Sequence, residues 1–249
     1  MRLIGDIGNT ETKIFLLDKN YKIIKRFVLS TNKISELVLK KKFKFIIKNN
    51  ILIEKSLFCS VVPKIFLIIK TFVTKNFKSK CIELKNLNLS KLMKIDVNRK
   101  QVGSDRIANC LAVTSKKKNY IILDFGTATT FDVIIGNKYK GGVIAPGVSI
   151  SLKTLIKKAS LIPPLDLKKT RKTIGKNTVD AVRSGFFWGY VGLINNIIEL
   201  IKKETKKSFK VIITGGFSVL FVNSLRFKVT IDKDITLKGL IKASKLISF

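Results

Sequence analysis

Asp6-Ile7-Gly8-Asn9-Thr10-Glu11-Thr12 is echoed later in the chain by Asp124-Phe125-Gly126-Thr127-Ala128-Thr129-Thr130. Asp matches Asp, Gly matches Gly, and Thr matches Thr at the seventh position. A short apolar run leads into each copy, Arg2–Gly5 and Tyr120–Leu123, and a second follows it, Thr12–Asp18 and Thr130–Ile135. Two apolar runs about a glycine-bearing tip predict a β-hairpin. Turns at Lys19-Asn20 and Gly136-Asn137 then lead into third strands, Tyr21–Ser30 and Tyr139–Ile144. Each copy therefore opens an antiparallel meander and about half of the chain. A repeat of this kind organises the whole fold. It predicts an α/β protein of two similar halves, 1–116 and 117–249. No Pro/Ser/Gly-rich linker separates them, so tight packing is expected, with a cleft where the two hairpins face each other.

The remaining pattern fills in around the meanders. Apolar spacing predicts helices over 31–50, 65–77, 103–116, 148–159, 178–207 and 218–225. Ser56–Val62, Cys81–Leu84 and Val211–Thr214 read as further strands, and a last strand–helix pair closes the chain. The aromatic run Phe186, Phe187, Trp188 and Tyr190 is expected in the core or in a dimer interface.

Lys and Arg number 49 against 16 Asp and Glu, a formal net charge of +33. Such charge raises the prospect of nucleic-acid binding. Yet the basic residues are mostly lysines spread along the whole chain, alongside abundant Ile, Asn and Phe. No RNP motif, zinc finger or basic heptad accompanies them. The balance is read as biased composition, with nucleic acid not expected as a partner. The surface would still attract anionic ligands. Histidine is absent, which excludes histidine bases, histidine metal ligands and Ser-His-Asp catalysis. Cys59, Cys81 and Cys110 lack metal-ligand spacing and are expected as reduced core thiols. No apolar run approaches the roughly 18 residues of a membrane span. Asp6 and two glycines interrupt the N-terminus where a signal peptide would be apolar. A cytoplasmic protein is expected.

With carboxylates so scarce, an Asp at a glycine turn stands out. At the first hairpin, Gly8 lets backbone approach a ligand, and Asn9 and Thr10 can donate to phosphate oxygens. Lys13 adds a positive charge, and Asp6 can hold Mg²⁺ directly or through water. An ordinary Asn-containing turn would explain one copy taken alone, but the second copy weakens that reading. Asp124, Gly126 and Thr127 offer the same set with more hydroxyls. Gly103-Ser104-Asp105-Arg106 puts a carboxylate beside a fixed cation at a helix start. It suits either a capped helix with a local ion pair, or a general base with an anion anchor. Gly141-Gly142 flanks a strand that a ligand or another backbone could approach closely. Thr214-Gly215-Gly216, between a strand and a helix, suits a nucleotide base or ribose lying on bare backbone.

In this order the motifs resemble the acetate and sugar kinase, Hsp70 and actin superfamily, and within it type III pantothenate kinases. The resemblance spans the chain. It implies two ribonuclease H-like (actin-like ATPase) halves, and phosphoryl transfer from ATP to pantothenate in coenzyme A synthesis. It implies Asp105 as the base, with Gly103, Ser104 and Arg106 at the substrate. It implies Mg²⁺ with the ATP, and Asp124 as ligand of a monovalent cation, K⁺ or NH₄⁺. Thr178 resembles the threonine that meets pantothenate from a partner subunit, and homodimers are the family rule. The stretch Lys94–Arg99 departs from the family pattern: it has no aromatic residue, and Arg99 stands where proline is usual. Two other readings stay open. One is a kinase of the same superfamily with another small hydroxyl substrate, separable by a substrate screen. The other is a degenerate nucleotide-binding regulator, against which the intact Asp6, Asp105 and Asp124 argue.

Overall fold

A computed structural model describes residues 1–246. It divides into two compact units, Met1–Thr114 with the residues from Asp234 onward, and Ser115–Lys233.

In the first unit, β1 (Arg2–Ile7), β2 (Glu11–Leu17) and β3 (Ile23–Ser30) form the antiparallel meander. The third strand starts later than the sequence pattern predicts, because Tyr21 turns through a positive φ of 64°. Helices α1 (Glu36–Lys42) and α2 (Lys44–Lys48) lead to β4 (Lys55–Ser60), and α3 (Pro63–Phe77) leads to β5 (Cys81–Glu83). Both late strands run parallel to β1, giving the order β3-β2-β1-β4-β5. A two-residue strand, β6 (Lys94–Ile95), and helix α4 (Ser104–Val113) follow.

The single helix predicted over 31–50 is instead a 3-10 turn, α1 and α2. Ser35 caps α1, its Oγ accepting from Val38 N at 3.3 Å. Phe43 breaks the run with φ −95° and ψ 9°. Its buried ring packs against Phe27 at 4.6 Å and Phe72 at 5.7 Å. Core packing overrides helical periodicity there.

Side chains alternate across the sheet. Leu3, Ile7 and Phe58 join Leu39, Ile69 and Phe72 in one apolar cluster. Burying each such side chain contributes about 1.5–3 kcal/mol. Alternation therefore puts Ile4, Asp6, Leu57 and Cys59 on the opposite face, and that is what places Asp6.

The second unit repeats the plan. β7 (Asn119–Phe125), β8 (Ala128–Ile135) and β9 (Lys138–Pro146) form its meander, followed by α5 (Val148–Lys158) and α6 (Thr178–Thr205). β10 (Lys210–Gly215), α7 (Ser218–Phe221) and β11 (Val229–Ile231) complete it, the two strands parallel to β7. The order β9-β8-β7-β10-β11 matches β3-β2-β1-β4-β5. Ile121, Leu123 and Phe125 meet Phe187, Tyr190 and Phe221 in its core. The helix predicted over 218–225 shortens to α7 and a 3-10 turn over Val222–Ser224.

One expectation of the sequence division fails. The sequence pattern puts residues 234–249 in the second half, but α8 (Ile235–Ser244) packs in the first unit against α4, β1 and β4. Ile235, Leu240 and Ala243 are fully buried there. Gly239 sits so close to the Ala108 carbonyl that any Cβ would collide with it. Thr236 Oγ1 adds a hydrogen bond to Asn109 Oδ1 at 2.7 Å. Residues 247–249 of that assignment lie outside the described residues.

Candidate active site

Asp6 stands near the end of β1, with Lys13 opposite it on β2 and Cys59 beside it on β4. Cys59 Sγ donates a hydrogen bond to Asp6 Oδ1 at 3.3 Å. Burial pushes the Asp6 carboxyl up to about 6, the nearby Asp105 pushing the same way against Cys59 and Lys13. Lys13 Nζ also pairs with Glu11 at 3.4 Å. The tip closes through Gly8 N to Glu11 O at 3.1 Å. Thr31, just after β3, braces it: its Oγ1 donates to Gly8 O at 2.8 Å and lies 2.9 Å from Thr12 Oγ1. Thr31 N adds a bond to Thr10 O at 3.0 Å. Asn9 and Thr10 are left exposed.

The second acidic residue of this unit opens α4. Gly103 is the N-cap and offers no side chain, and a Cβ there would lie 2.5 Å from Asp105 Oδ1. The glycine thus leaves room for the Asp105 carboxylate, which accepts from Arg106 N at 2.8 Å. Ser104 is fully buried and donates through Oγ to Glu83 Oε1 at 2.5 Å. Burial drives the Cys59 thiol well above its ordinary range, reinforced by the charges of Asp6, Asp105 and Glu83. Three carboxylates of a chain with few thus gather about one buried thiol.

The second hairpin has the same layout with different side chains. Asp124 on β7 has Thr130 opposite it on β8 and Thr214 beside it on β10. Its tip is one residue shorter: β1 and β2 are joined by three residues, β7 and β8 by Gly126 and Thr127. This shifts the correspondence read from sequence. Thr12 pairs with Ile7, and it is Thr129, not Thr130, that pairs with Phe125. Both Thr12 and Thr129 are fully buried. Thr130 is instead the counterpart of Lys13.

Glycines leave bare backbone around this second tip. A Cβ on Gly147 would collide with the Thr127 carbonyl. Gly215 has φ +87°, and a Cβ there would meet Phe125 O at 2.5 Å. Gly216 N donates to Phe125 O at 3.2 Å, while its own Cβ position is open space. Ser218 Oγ pins the turn by donating to Gly215 O at 2.9 Å.

The first unit thus gathers Asp6, Gly8, Asn9, Thr10 and Lys13 on one hairpin and Gly103, Ser104, Asp105 and Arg106 on one helix start, with Asp6 and Asp105 in electrostatic contact. The second gathers Asp124, Gly126, Thr127, Gly215 and Gly216. Thr178 is exposed at the first position of α6, behind Asn177, whose Oδ1 accepts from Asp180 N at 2.9 Å. The sequence pattern does not single out Cys59, Glu83 or Thr31, which other segments bring to the site. Cys59 was expected as a plain core thiol, and only the β1–β4 register reveals its hydrogen bond to Asp6. Arg99, at the atypical stretch, donates to Lys85 O at 2.7 Å and Leu87 O at 2.6 Å. Its guanidinium ties that loop down.

The residues present fit a magnesium–nucleotide. Asp6 offers a largely buried carboxylate, whose charge burial disfavours and an added cation would restore. Among the described residues, no cluster of three or more His, Cys, Asp or Glu forms a metal cage. Mg²⁺ is commonly held by one or two carboxylates together with substrate phosphates. Among the described residues, no helix is long and apolar enough to cross a membrane.

The chain as a whole is similar to known proteins. The family model for type III pantothenate kinase matches residues 2–200. A type III pantothenate kinase of Pelagibacter ubique is 62% identical over 247 residues, covering 99% of this chain and 100% of that protein. One of Desulforapulum autotrophicum is 36% identical over 249 residues, covering 96% and 95%. Among solved structures, a ROK family glucokinase from Streptomyces griseus, in complex with glucose and AMPPNP, has a TM-score of 0.54 at 13% identity. It covers 98% of both chains and bears on the fold alone. That fold is the expected α/β class, with two ribonuclease H-like halves. Matched by a family model over most of its length and by a relative from end to end, the chain belongs to the type III pantothenate kinase family.

Proposed function

We propose that this chain transfers the γ-phosphoryl group of ATP to the primary hydroxyl of pantothenate, the first step of coenzyme A synthesis. The observation that carries the reading is the coupling of two carboxylates, Asp6 on its hairpin and Asp105 on its helix start. The 62% identity to a type III pantothenate kinase supports the substrate.

Asp105 accepts the hydroxyl proton as the hydroxyl oxygen bonds to the γ-phosphorus and the bond to the ADP oxygen breaks. With no histidine in the chain, a carboxylate is the natural base. Arg106 anchors the substrate anion beside Gly103 and Ser104. Asn9, Thr10 and the amides after Gly8, with Lys13, hold phosphate oxygens, as do Gly126 and Thr127. Asp6 would hold Mg²⁺, whose charge would offset that of the phosphates. Asp124 would hold the monovalent cation, and Gly215 and Gly216 would receive the adenosine. Most of the rate comes from positioning and charge neutralisation. A homodimer, in which Thr178 serves the partner's substrate, and a cytoplasmic setting complete the reading.

An ADP-release assay with ATP, pantothenate, Mg²⁺ and K⁺, each omitted in turn, tests it. Release should need all four. Release that ignores pantothenate would refute the substrate assignment.

A further inference from the structure

Glu83 belongs to none of the motifs, yet it meets the helix start that carries Asp105. It is the last residue of β5, in register with Phe58 on β4 and so one residue from Cys59. One carboxylate oxygen accepts from Ser104 Oγ at 2.5 Å, and the other from Lys85 N at 2.6 Å. Both oxygens are thus committed, and the second bond fixes the side chain to its own strand end.

Gly103 caps α4 without a side chain, so no cap side chain ties the first turn down, and the tie to the sheet comes from the next residue. The bond from buried Ser104 to Glu83 therefore ties the peptide carrying Asp105 to the sheet. That sheet also carries Asp6, through the β1–β4 register of Asp6 with Cys59. Hydrogen bonds that a carboxylate accepts are among the stronger ones. Placing a base within reach of its proton is a matter of fractions of an ångström, and a misplacement of about 1 Å can cost a hundredfold in rate.

We propose that Glu83 is a positioning residue for Asp105, acting through Ser104 and setting turnover rather than nucleotide affinity. The inference rests on the functional reading above, in which Asp105 is the base.

Steady-state kinetics of wild type, Glu83→Ala, Glu83→Gln, Ser104→Ala and the Glu83→Ala/Ser104→Ala double variant test it, with thermal melts alongside. Glu83→Ala and Ser104→Ala should each lower kcat by about ten- to a hundredfold, within the range of a displaced base. The KM for ATP should stay within about twofold, since the nucleotide is held elsewhere. The double variant should be no slower than the slower single, because both changes cut the same link. Glu83→Gln can keep the link, its amide oxygen accepting from Lys85 N and its NH₂ donating to Ser104 Oγ, and should recover most of the rate. A merely structural role would lower Tm and leave kcat per folded molecule unchanged, and that result would overturn the proposal. So would additive losses in the double variant, or a Glu83→Gln as slow as Glu83→Ala. If Glu83→Ala does not fold, Ser104→Ala and Glu83→Gln carry the test, and an unchanged kcat in Ser104→Ala overturns it. A wild type that makes no phosphorylated pantothenate refutes the functional reading and this inference with it. An active wild type beside an equally active Glu83→Ala refutes this inference alone.

Discussion

Asp6 is held between two demands. Folding buries its carboxylate, and phosphate chemistry asks that it be charged. Its carboxyl titrates near 6 in the folded chain against 3.8 unperturbed. Below about pH 4 it is protonated in both states and burial costs nothing. From there to about pH 6 the unfolded chain ionises first, so stability falls as pH rises. Above pH 6 the penalty is complete, at most about 3 kcal/mol at 1.36 kcal/mol per pKa unit, and less where solvent reaches the group. Asp6→Asn, without metal or nucleotide, should therefore melt higher than wild type at pH 7.5 and match it near pH 4. The same variant should lose ATP turnover. Equal melting at pH 7.5 would show that the burial cost is illusory. The three aspartates were legible because acids are scarce and each lies two residues from a glycine, Asp6 and Asp124 at hairpin tips and Asp105 at a helix start. Cys59 and Glu83 were not: their strands follow from local pattern, but the parallel pairing that brings them beside Asp6 and the α4 start does not. The match of Thr12 to Thr130 was off by one because a seven-residue alignment does not reveal that the two tips differ in length.

At the level of elements, both hairpins and the long helix α6 followed from local pattern, because alternation and helical periodicity are short-range signals. The break at Phe43 and the destination of α8 did not, because a distant core decides them. α8 carries the clearest element-scale prediction. Gly239 lies against the Ala108 carbonyl of α4, so the two helices pack backbone to backbone. Gly239→Ala should cost about 1–3 kcal/mol by overpacking, lowering Tm by several degrees for a chain of this size. A variant as stable as wild type would deny that close approach. At the second tip, Gly215→Ala meets both a φ of +87° and the Phe125 carbonyl. It should raise the KM for ATP more than it lowers kcat, since it disturbs the backbone assigned to adenosine. Isothermal titration with a non-hydrolysable ATP analogue checks this, and unchanged affinity would count against that assignment.

For the whole molecule, duplication is the main fact, and it was legible because its two copies share an acid, a glycine and a threonine. The charge of +33 carries no such local message. Its expected consequence is steering of anionic nucleotide. Raising ionic strength at fixed K⁺ should raise the KM for ATP and leave kcat nearly constant, as screening shortens the reach of surface lysines to about 10 Å at 0.1 M. The central claim is narrower: Asp105 removes a proton from pantothenate as ATP gives up its γ-phosphoryl group. Mass spectrometry of the products from wild type and Asp105→Asn, incubated side by side with ATP, pantothenate, Mg²⁺ and K⁺, tests it most directly. Wild type should yield pantothenate one phosphoryl group heavier, a product the variant should form at least about a hundredfold more slowly, the usual scale for a lost general base. Equal rates from the two proteins, or ADP without phosphorylated pantothenate, would contradict it.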